Sequence, residues 1–474
     1  MRKDTTLING EWRTLAERKT ISNPGTGEDV GTVCWGNAEL AVEAADAASA
    51  AFPAWSATSG RERADILLRA AALVNERRDA IALLLAAEAG KRLPEARGEV
   101  AFSGEYLRWF AEEARRPIGE VLSNEDSGRR HLTTRKAAGV VVSLTSWNFP
   151  CSLQARKIAP ALAAGCTVVV RVSERAPLAA TELVRALNDA GLPPGVLNIV
   201  HGPAREMSEA LLSHPAVRTV TFTGSTSVGR QIMVAAAQRI VRPLLELGGD
   251  APFIVFDDAD LDAAVEAAVL AKTRNTGQSC VAANRFFVQD AVFDEFTSRL
   301  ADRLDAMTIG DGSTAPVPDL GPMIDADGVK AVQAMADDAR ARGAREVTTP
   351  RDVPAAGHFL RPMLFIDVPG DALLATHEVF GPVAAVFRFT DQADAIRRAN
   401  ATEMGLAAYV FSRDAGRCWR VAEELEAGIV GVNEPLPSVA FAPMGGVKQS
   451  GLGREGSRLG LEEFTEPKYV AWRV

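Results

Sequence analysis

The stretch 139-GVVVSLTSWNFPCSLQARKIAPALAAGCTVVVRV-172 decides the fold. It holds two near-continuous β-branched runs, 140-VVVSLT and 167-TVVVRV, joined through a helical segment, 152-SLQARKIAPALAAG. A strand that is apolar on both faces needs cover on both, which a parallel sheet flanked by helices supplies. The alternation continues outward, with strands at 196-VLNIV and 217-VRTVTFT and helices at 178-LAATELVRALNDAG and 227-SVGRQIMVAAAQ. Such a series predicts a doubly wound, nucleotide-binding type of domain between Gly139 and Val255.

Beyond it a second α/β series follows, with helices at 260-DLDAAVEAAVLAKTRN and 292-VFDEFTSRLADRLDAM and strands at 285-RFFVQ, 384-AAVFRF and 429-IVGVN. Before it, Leu40 to about Arg116 reads as alanine-rich amphipathic helices, one of them ended by Gly90. The polar stretch 119-GEVLSNEDSGRRHLTTRKAAG alternates at His131 to Arg135 as an exposed strand does. The end, 467-PKYVAWRV, reads as a strand with an apolar face that needs a partner edge.

With 474 residues, 47% of them hydrophobic, the chain is long enough for two or three domains. Its 52 basic and 61 acidic residues leave a net charge of −9, which argues against a polyanion-binding surface and against nucleic acid as a partner. Five cysteines without CxxC spacing and five scattered histidines predict no metal site and suit a reducing compartment. The start, MRKDTTLING, lacks the apolar run of a signal peptide, and no stretch approaches the ~20 apolar residues of a membrane span. The expected location is the cytoplasm.

Three residues suggest chemistry. In 275-NTGQSC, Cys280 follows a helix in a glycine-containing turn, where backbone amides can favour a thiolate, although a lone cysteine is more often a small buried apolar residue. In 245-LELGGD, Glu246 stands at a strand end before a Gly-Gly turn, positioned to act as a general base if it faces a cleft. In 147-WNFP, Asn148 at the end of the first strand can donate its amide to an oxyanion, or simply form the turn before Pro150. Gly224, Ser225 and Gly229 of 222-FTGSTSVG lie at a strand-to-helix junction, where helix amides can meet a pyrophosphate.

WNFP, FTGSTSVG, LELGG, NTGQSC, EVFGP and GGVKQSGLGREG occur in this order. Through them the chain resembles the aldehyde dehydrogenase superfamily almost end to end. The resemblance implies two doubly wound α/β domains, Rossmann-like NAD-binding (1–118 and 139–247) and catalytic (248–440), with small β oligomerisation segments at 119–138 and 455–474. It implies Cys280 as nucleophile, Glu246 as base and Asn148 as oxyanion donor in oxidising an aldehyde to a carboxylate through a thioester. Glu246 favours hydrolysis of that thioester over transfer to CoA.

For the dinucleotide, the resemblance places Trp147 and Ser225 at the pyrophosphate and Glu378 and Phe380 at the nicotinamide ribose and ring. In 171-RVSE, Arg171 stands where lysine is usual, beside Ser173 and Glu174. A carboxylate at Glu174 suits a free 2′-hydroxyl and Arg171 suits a 2′-phosphate, so NAD is favoured and NADP remains possible. Arg156, Arg274 and Ser438 match positions that bind the distal carboxylate in succinate semialdehyde dehydrogenases, the nearest branch. Succinate semialdehyde is the implied substrate; glutarate semialdehyde or a broad aldehyde range stays open, because Pro435, Pro437, Phe441 and Met444 depart from that branch. Ala282 replaces the second cysteine of a redox switch, and Cys151 reads as packing. A homodimer or homotetramer is implied. A non-catalytic relative would have lost at least one of these groups.

Overall fold

The structure, a computed structural model, describes residues 4–116, 119–123, 125 and 128–473. Its first sheet has eight strands, in the order Glu11–Arg13, Thr6–Ile8, Leu197–Val200, Thr167–Arg171, Val140–Leu144, Val217–Thr223, Arg242–Glu246 and Gly451–Leu452. The middle five pair in parallel. From Val140–Leu144 the chain first builds outward through Thr167–Arg171 and Leu197–Val200. It then returns to the other side of its starting strand with Val217–Thr223. That reversal makes a crevice at the strands' carboxyl ends, where open α/β sheets bind ligands. WNFP and FTGSTSVG follow the two strands that flank it.

Every residue of Val140–Leu144 and Thr167–Arg171 is buried, as their near-continuous β-branched runs predict. Helix Pro150–Ala164 between them is buried along almost all its length. Proline opens it and Gly165, at φ +94°, closes it in the left-handed region that glycine adopts without strain. Each fully buried valine or leucine in this layer contributes about 1.5–3 kcal/mol relative to exposure.

The second sheet runs Arg345–Glu346, Met363–Ile366, Val383–Phe389, Ala283–Gln289, Ala251–Val255, Ala407–Phe411 and Ile429–Val432, parallel except at its first pair. A third, antiparallel sheet joins Thr465–Arg473, Arg129–Ala137 and Gly119–Leu122. The terminal strand thus finds its partner edge within the chain, in register Tyr469 opposite Thr133. Helices Ala38–Ser56, Gly60–Glu76, Arg78–Ala89 and Leu93–Glu113 occupy the region read as helical.

Two features differ from the sequence reading. The first sheet is mixed, because the three-residue strands Thr6–Ile8 and Glu11–Arg13 and the two-residue Gly451–Leu452 add antiparallel edges too short to show a periodicity. Asn148 does not end the first strand: pairing stops at Leu144, and Asn148 sits in the turn before helix Pro150–Ala164. Among the described residues no helix is long and apolar enough to cross a membrane, and no cluster of His, Cys, Asp or Glu has metal-binding geometry.

Candidate active site

Cys280 is half-buried in a cavity of about 560 Å³, shared with Trp147, Asn148, Arg156, Gly224, Ser225, Arg274, Glu378, Phe380 and Ser438. The loop leading to Cys280 is wound tightly. Asn275, Thr276 and Gly277 all have positive φ, at 54°, 57° and 75°. Two non-glycine residues in a row there are strained and persist only when their surroundings hold them. The Asn275 amide donates to the carbonyls of Asn148 (3.0 Å) and Gln278 (3.1 Å), and the Thr276 hydroxyl to that of Gly321 (3.1 Å). Gly249, of the LELGG turn, packs against this loop so closely that a Cβ there would lie 2.2 Å from the Cys280 carbonyl oxygen. No side chain fits, which explains the second glycine.

Asn148 is 4% exposed. Its amide nitrogen donates to the Gln278 carbonyl at 3.1 Å, and its amide oxygen accepts from the Ser146 hydroxyl at 2.6 Å. The nitrogen is therefore turned towards the Cys280 loop and keeps a second N–H.

Glu246 ends strand Arg242–Glu246, just behind the cavity-lining Leu247 and Gly248. Its carboxylate is buried, and neither oxygen has a hydrogen-bond partner among the described residues. Burial, reinforced by the charge of Glu455 and opposed by Arg156, Lys157 and Arg454, pushes its pKa up to about 8. Burial likewise pushes the Cys280 thiol up to about 12, with Arg156 opposing it and Glu246 and Glu378 adding to it.

For a dinucleotide, Ser225 caps helix Thr226–Ala237, its hydroxyl accepting from the Val228 amide, at the carboxyl end of Val217–Thr223. Gly229 lies inside that helix, packed on Leu247. Glu378 accepts from the Gly249 amide at 3.0 Å through one oxygen, and burial raises it to about 7. Phe380 and Trp147 meet edge to face, 5.7 Å between centroids. A carboxylate, two aromatic walls and a capped helix start around one crevice fit a nicotinamide dinucleotide.

The RVSE segment behaves differently from its sequence reading. Arg171 is 7% exposed and donates through Nη2 to the Gly202 carbonyl at 2.8 Å, while its Nε has no hydrogen-bond partner among the described residues. The Ser173 hydroxyl accepts from the Arg175 amide at 3.3 Å. Glu174 pairs at 3.1 Å with Lys19, a cation from the amino-terminal strand Arg18–Ser22 that the sequence reading did not single out.

The three residues matched to a substrate carboxylate reach one cavity in unequal states. Arg156 is buried in an ion pair with Glu455, Nε to Oε2 3.0 Å, and also donates to the Met444 thioether. The Ser438 hydroxyl donates to the same sulfur at 3.4 Å. Arg274 lies over the Phe149 ring, 5.1 Å from its centroid, and the nearby Glu95 is paired with Arg92 at 3.5 Å. Among the described residues no carboxylate lies within ion-pair distance of Arg274.

Sequence reasoning overlooked Glu455 and Lys157, whose buried pair adjoins Glu246, and Lys91, Glu95 and Glu99 behind the WNFP loop. For Lys157 the signal available was a charged residue on a helix buried along almost all its length; its partner Glu455 lies 298 residues away, outside any helix. Cys151 is fully buried, as packing requires. Phe441 is exposed and its ring lies tilted against that of Trp109, 6.3 Å between centroids, outside the cavity. A larger groove of about 1150 Å³ on the second sheet's flank, bordered by Trp419 and Leu270, shares only Pro435 with the Cys280 cavity.

Comparison with known proteins finds that the model of the Aldehyde dehydrogenase family matches residues 12–470. A glutarate-semialdehyde dehydrogenase of Pseudomonas aeruginosa is 46% identical over 465 residues, covering 98% of this chain and 96% of that one. A succinate-semialdehyde dehydrogenase of Escherichia coli, named with NADP(+), is 45% identical over 466 residues, with coverage of 98% and 96%. The crystal structure of an NADP-dependent enzyme of Escherichia coli superposes with a TM-score of 0.97 at 44% identity, covering 100% of this chain and 98% of that one.

Proposed function

The chain belongs to the aldehyde dehydrogenase family, and on that premise we propose that it oxidises a short aldehyde bearing its own acid group, succinate semialdehyde first and glutarate semialdehyde next, to the dicarboxylate. The observation that carries the substrate class is Arg274, a cation without an ion-pair partner among the described residues, in the same cavity as Cys280. A guanidinium there suits a carboxylate through paired, charge-assisted hydrogen bonds. Ser438 adds a hydroxyl once it leaves Met444, and Arg156 adds positive potential while it stays bound to Glu455.

In this reading the Cys280 sulfur attacks the aldehyde carbon. The thiol proton is hard to remove in so buried a site; Arg156 favours the thiolate, and the proton is released to solvent before the attack. The resulting oxyanion is met by the free N–H of the Asn148 amide together with the Cys280 backbone N–H. Nicotinamide dinucleotide, when bound, supplies the hydride acceptor that turns the adduct into a thioester. Ser225, Gly224 and Trp147 would hold its phosphates, Glu378 its ribose and Phe380 its ring. Glu246 then takes a proton from water, the hydroxide attacks the thioester carbon, and the acid leaves as the Cys280 thiolate is restored.

NAD is the favoured dinucleotide. Arg171 is buried with one N–H on Gly202, which weakens the case for a 2′-phosphate, while Lys19 beside Glu174 softens the repulsion and leaves NADP admissible. We also read residues 1–118 with 139–247 as the dinucleotide domain, 248–440 as the catalytic domain, and 119–138 with 455–474 as the segments joining a homodimer or homotetramer in the cytoplasm. The exposed Tyr469, Val470 and Trp472 on the terminal strand support the last assignment.

The test is steady-state kinetics with succinate semialdehyde, glutarate semialdehyde and butanal, each with NAD and with NADP. Acid semialdehydes should lead butanal by about 10²-fold in kcat/KM, the size of one good charged contact. Equal use of butanal would make the enzyme a general aldehyde dehydrogenase, and turnover only with CoA would remove the hydrolytic role of Glu246.

A further inference from the structure

Two charged side chains that the chemistry above does not use, Lys91 and Glu99, lie 0% and 1% exposed behind the WNFP loop, paired with one another. A buried ion pair is rarely a net gain in stability over apolar residues of similar volume, so stability alone is a weak reason to keep one. Its contacts suggest another. Lys91 donates to the main-chain carbonyl of Asn148 at 2.9 Å, and its ammonium sits 3.9 Å from the centroid of the Phe149 ring. Glu99 accepts from the backbone amides of Cys151 at 2.9 Å and Ser152 at 3.2 Å, the first turn of helix Pro150–Ala164. Between them the two side chains grip both ends of the segment from Asn148 to Ser152.

The Asn148 carbonyl also accepts from the Asn275 side chain at 3.0 Å. With both lone pairs of that oxygen engaged, the peptide plane after Asn148 cannot turn, and the direction of the Asn148 side chain is set with it. One helical turn before Glu99, on the same face of helix Leu93–Glu113, Glu95 accepts from the Asn275 backbone amide at 3.2 Å. One helix therefore reaches both the loop of Asn148 and the loop of Cys280.

We propose that Lys91 and Glu99 are positioning residues for the oxyanion-binding amide of Asn148, holding it against the Cys280 loop through the Asn148 carbonyl and the first turn of helix Pro150–Ala164. The proposal rests on the reading of Asn148 as oxyanion donor. A donor must stand within about 0.5 Å of its productive place to stabilise charge as it develops, so a small drift costs rate without costing substrate affinity.

The experiment is the pre-steady-state burst of reduced dinucleotide, expressed per titrated active site, with the aldehyde of highest kcat/KM in the panel above. Wild type, Lys91→Met, Asn148→Ala and the double variant are compared, with Glu99→Gln as a milder lesion that keeps an acceptor oxygen for the two amides. Asn148→Ala should slow the burst by about 10²-fold. Lys91→Met and Glu99→Gln should each slow it by about tenfold or more, leaving the dinucleotide Kd and the aldehyde KM within about twofold. In the Asn148→Ala background Lys91→Met should slow it by less than about twofold, because residues acting through one group are not additive. Full additivity, or an unchanged burst per site in both Lys91→Met and Glu99→Gln, overturns the positioning role. An unchanged burst in Asn148→Ala overturns the oxyanion reading itself, and the positioning role with it.

Discussion

Arg156 and Glu455 form a buried ion pair, 3.0 Å from Nε to Oε2, and Lys157, the next residue, pairs with the same carboxylate. Glu246 is the second acid of this group, so Glu246, Glu455, Arg156 and Lys157 share one buried site beside Cys280. Glu455 raises the pKa of Glu246, and the cations lower it. Replacing Glu455 by Gln should therefore move the Glu246 midpoint down, below about 8, because only the lowering charges remain. It should also cost about 3–5 kcal/mol of stability, since two buried cations lose their counter-charge. A pH–rate profile and a denaturant titration read the two effects; an unmoved midpoint would mean that Glu455 and Glu246 do not interact.

A second expectation follows from Glu246 alone. A base must be ionised to take a proton, and burial holds this carboxyl at about 8. Hydrolysis of the thioester should thus rise about tenfold per pH unit below 8 and level off above it. With Glu246→Gln the burst of reduced dinucleotide should persist while turnover falls by at least about 10²-fold, leaving an acyl group on Cys280 that intact-protein mass spectrometry detects. Loss of the burst as well would show that Glu246 is needed earlier, for the thiol proton.

The unequal states of the two arginines separate their roles. Arg274→Ala should lower kcat/KM for acid semialdehydes by about 10²-fold and leave butanal within about twofold, because it removes a contact only the acid makes. Arg156→Ala should instead destabilise the fold by about 3–5 kcal/mol, since Glu455 loses one of its two counter-ions. Thermal unfolding and the aldehyde panel distinguish them. Similar losses on acid and neutral aldehydes in Arg274→Ala would end the carboxylate assignment.

Gly249 offers a purely steric test. A methyl group at this position would lie 2.2 Å from the Cys280 carbonyl oxygen, so the Cys280 loop must move. Gly249→Ala should cost about 1–3 kcal/mol in stability and at least about 10²-fold in kcat, since a displacement near 1 Å is enough to lose that much rate. Wild-type kinetics in this variant would show that the loop tolerates the shift.

How much of this was legible in the sequence depends on distance along the chain. The parallel sheets were, because 140-VVVSLT and 167-TVVVRV carry their burial on both faces in their own composition. So were the six motifs in order, and with them the family whose model matches residues 12–470. What a side chain does after the chain has folded was not. Arg171 reads as a phosphate ligand and is bound to Gly202; Arg156 reads as a free clamp and is held by Glu455; Glu174 acquires Lys19 from 155 residues away. The sequence by itself determined the elements, their alternation and the chemical groups of the site, because local periodicity and residue type are properties of short stretches. Only the tertiary structure decided which charges among the described residues are already neutralised, and so that Arg156 is paired with Glu455 while Arg274 lines the Cys280 cavity without an ion-pair partner. Those pairings form between segments that share no local pattern, and burial sets their strength.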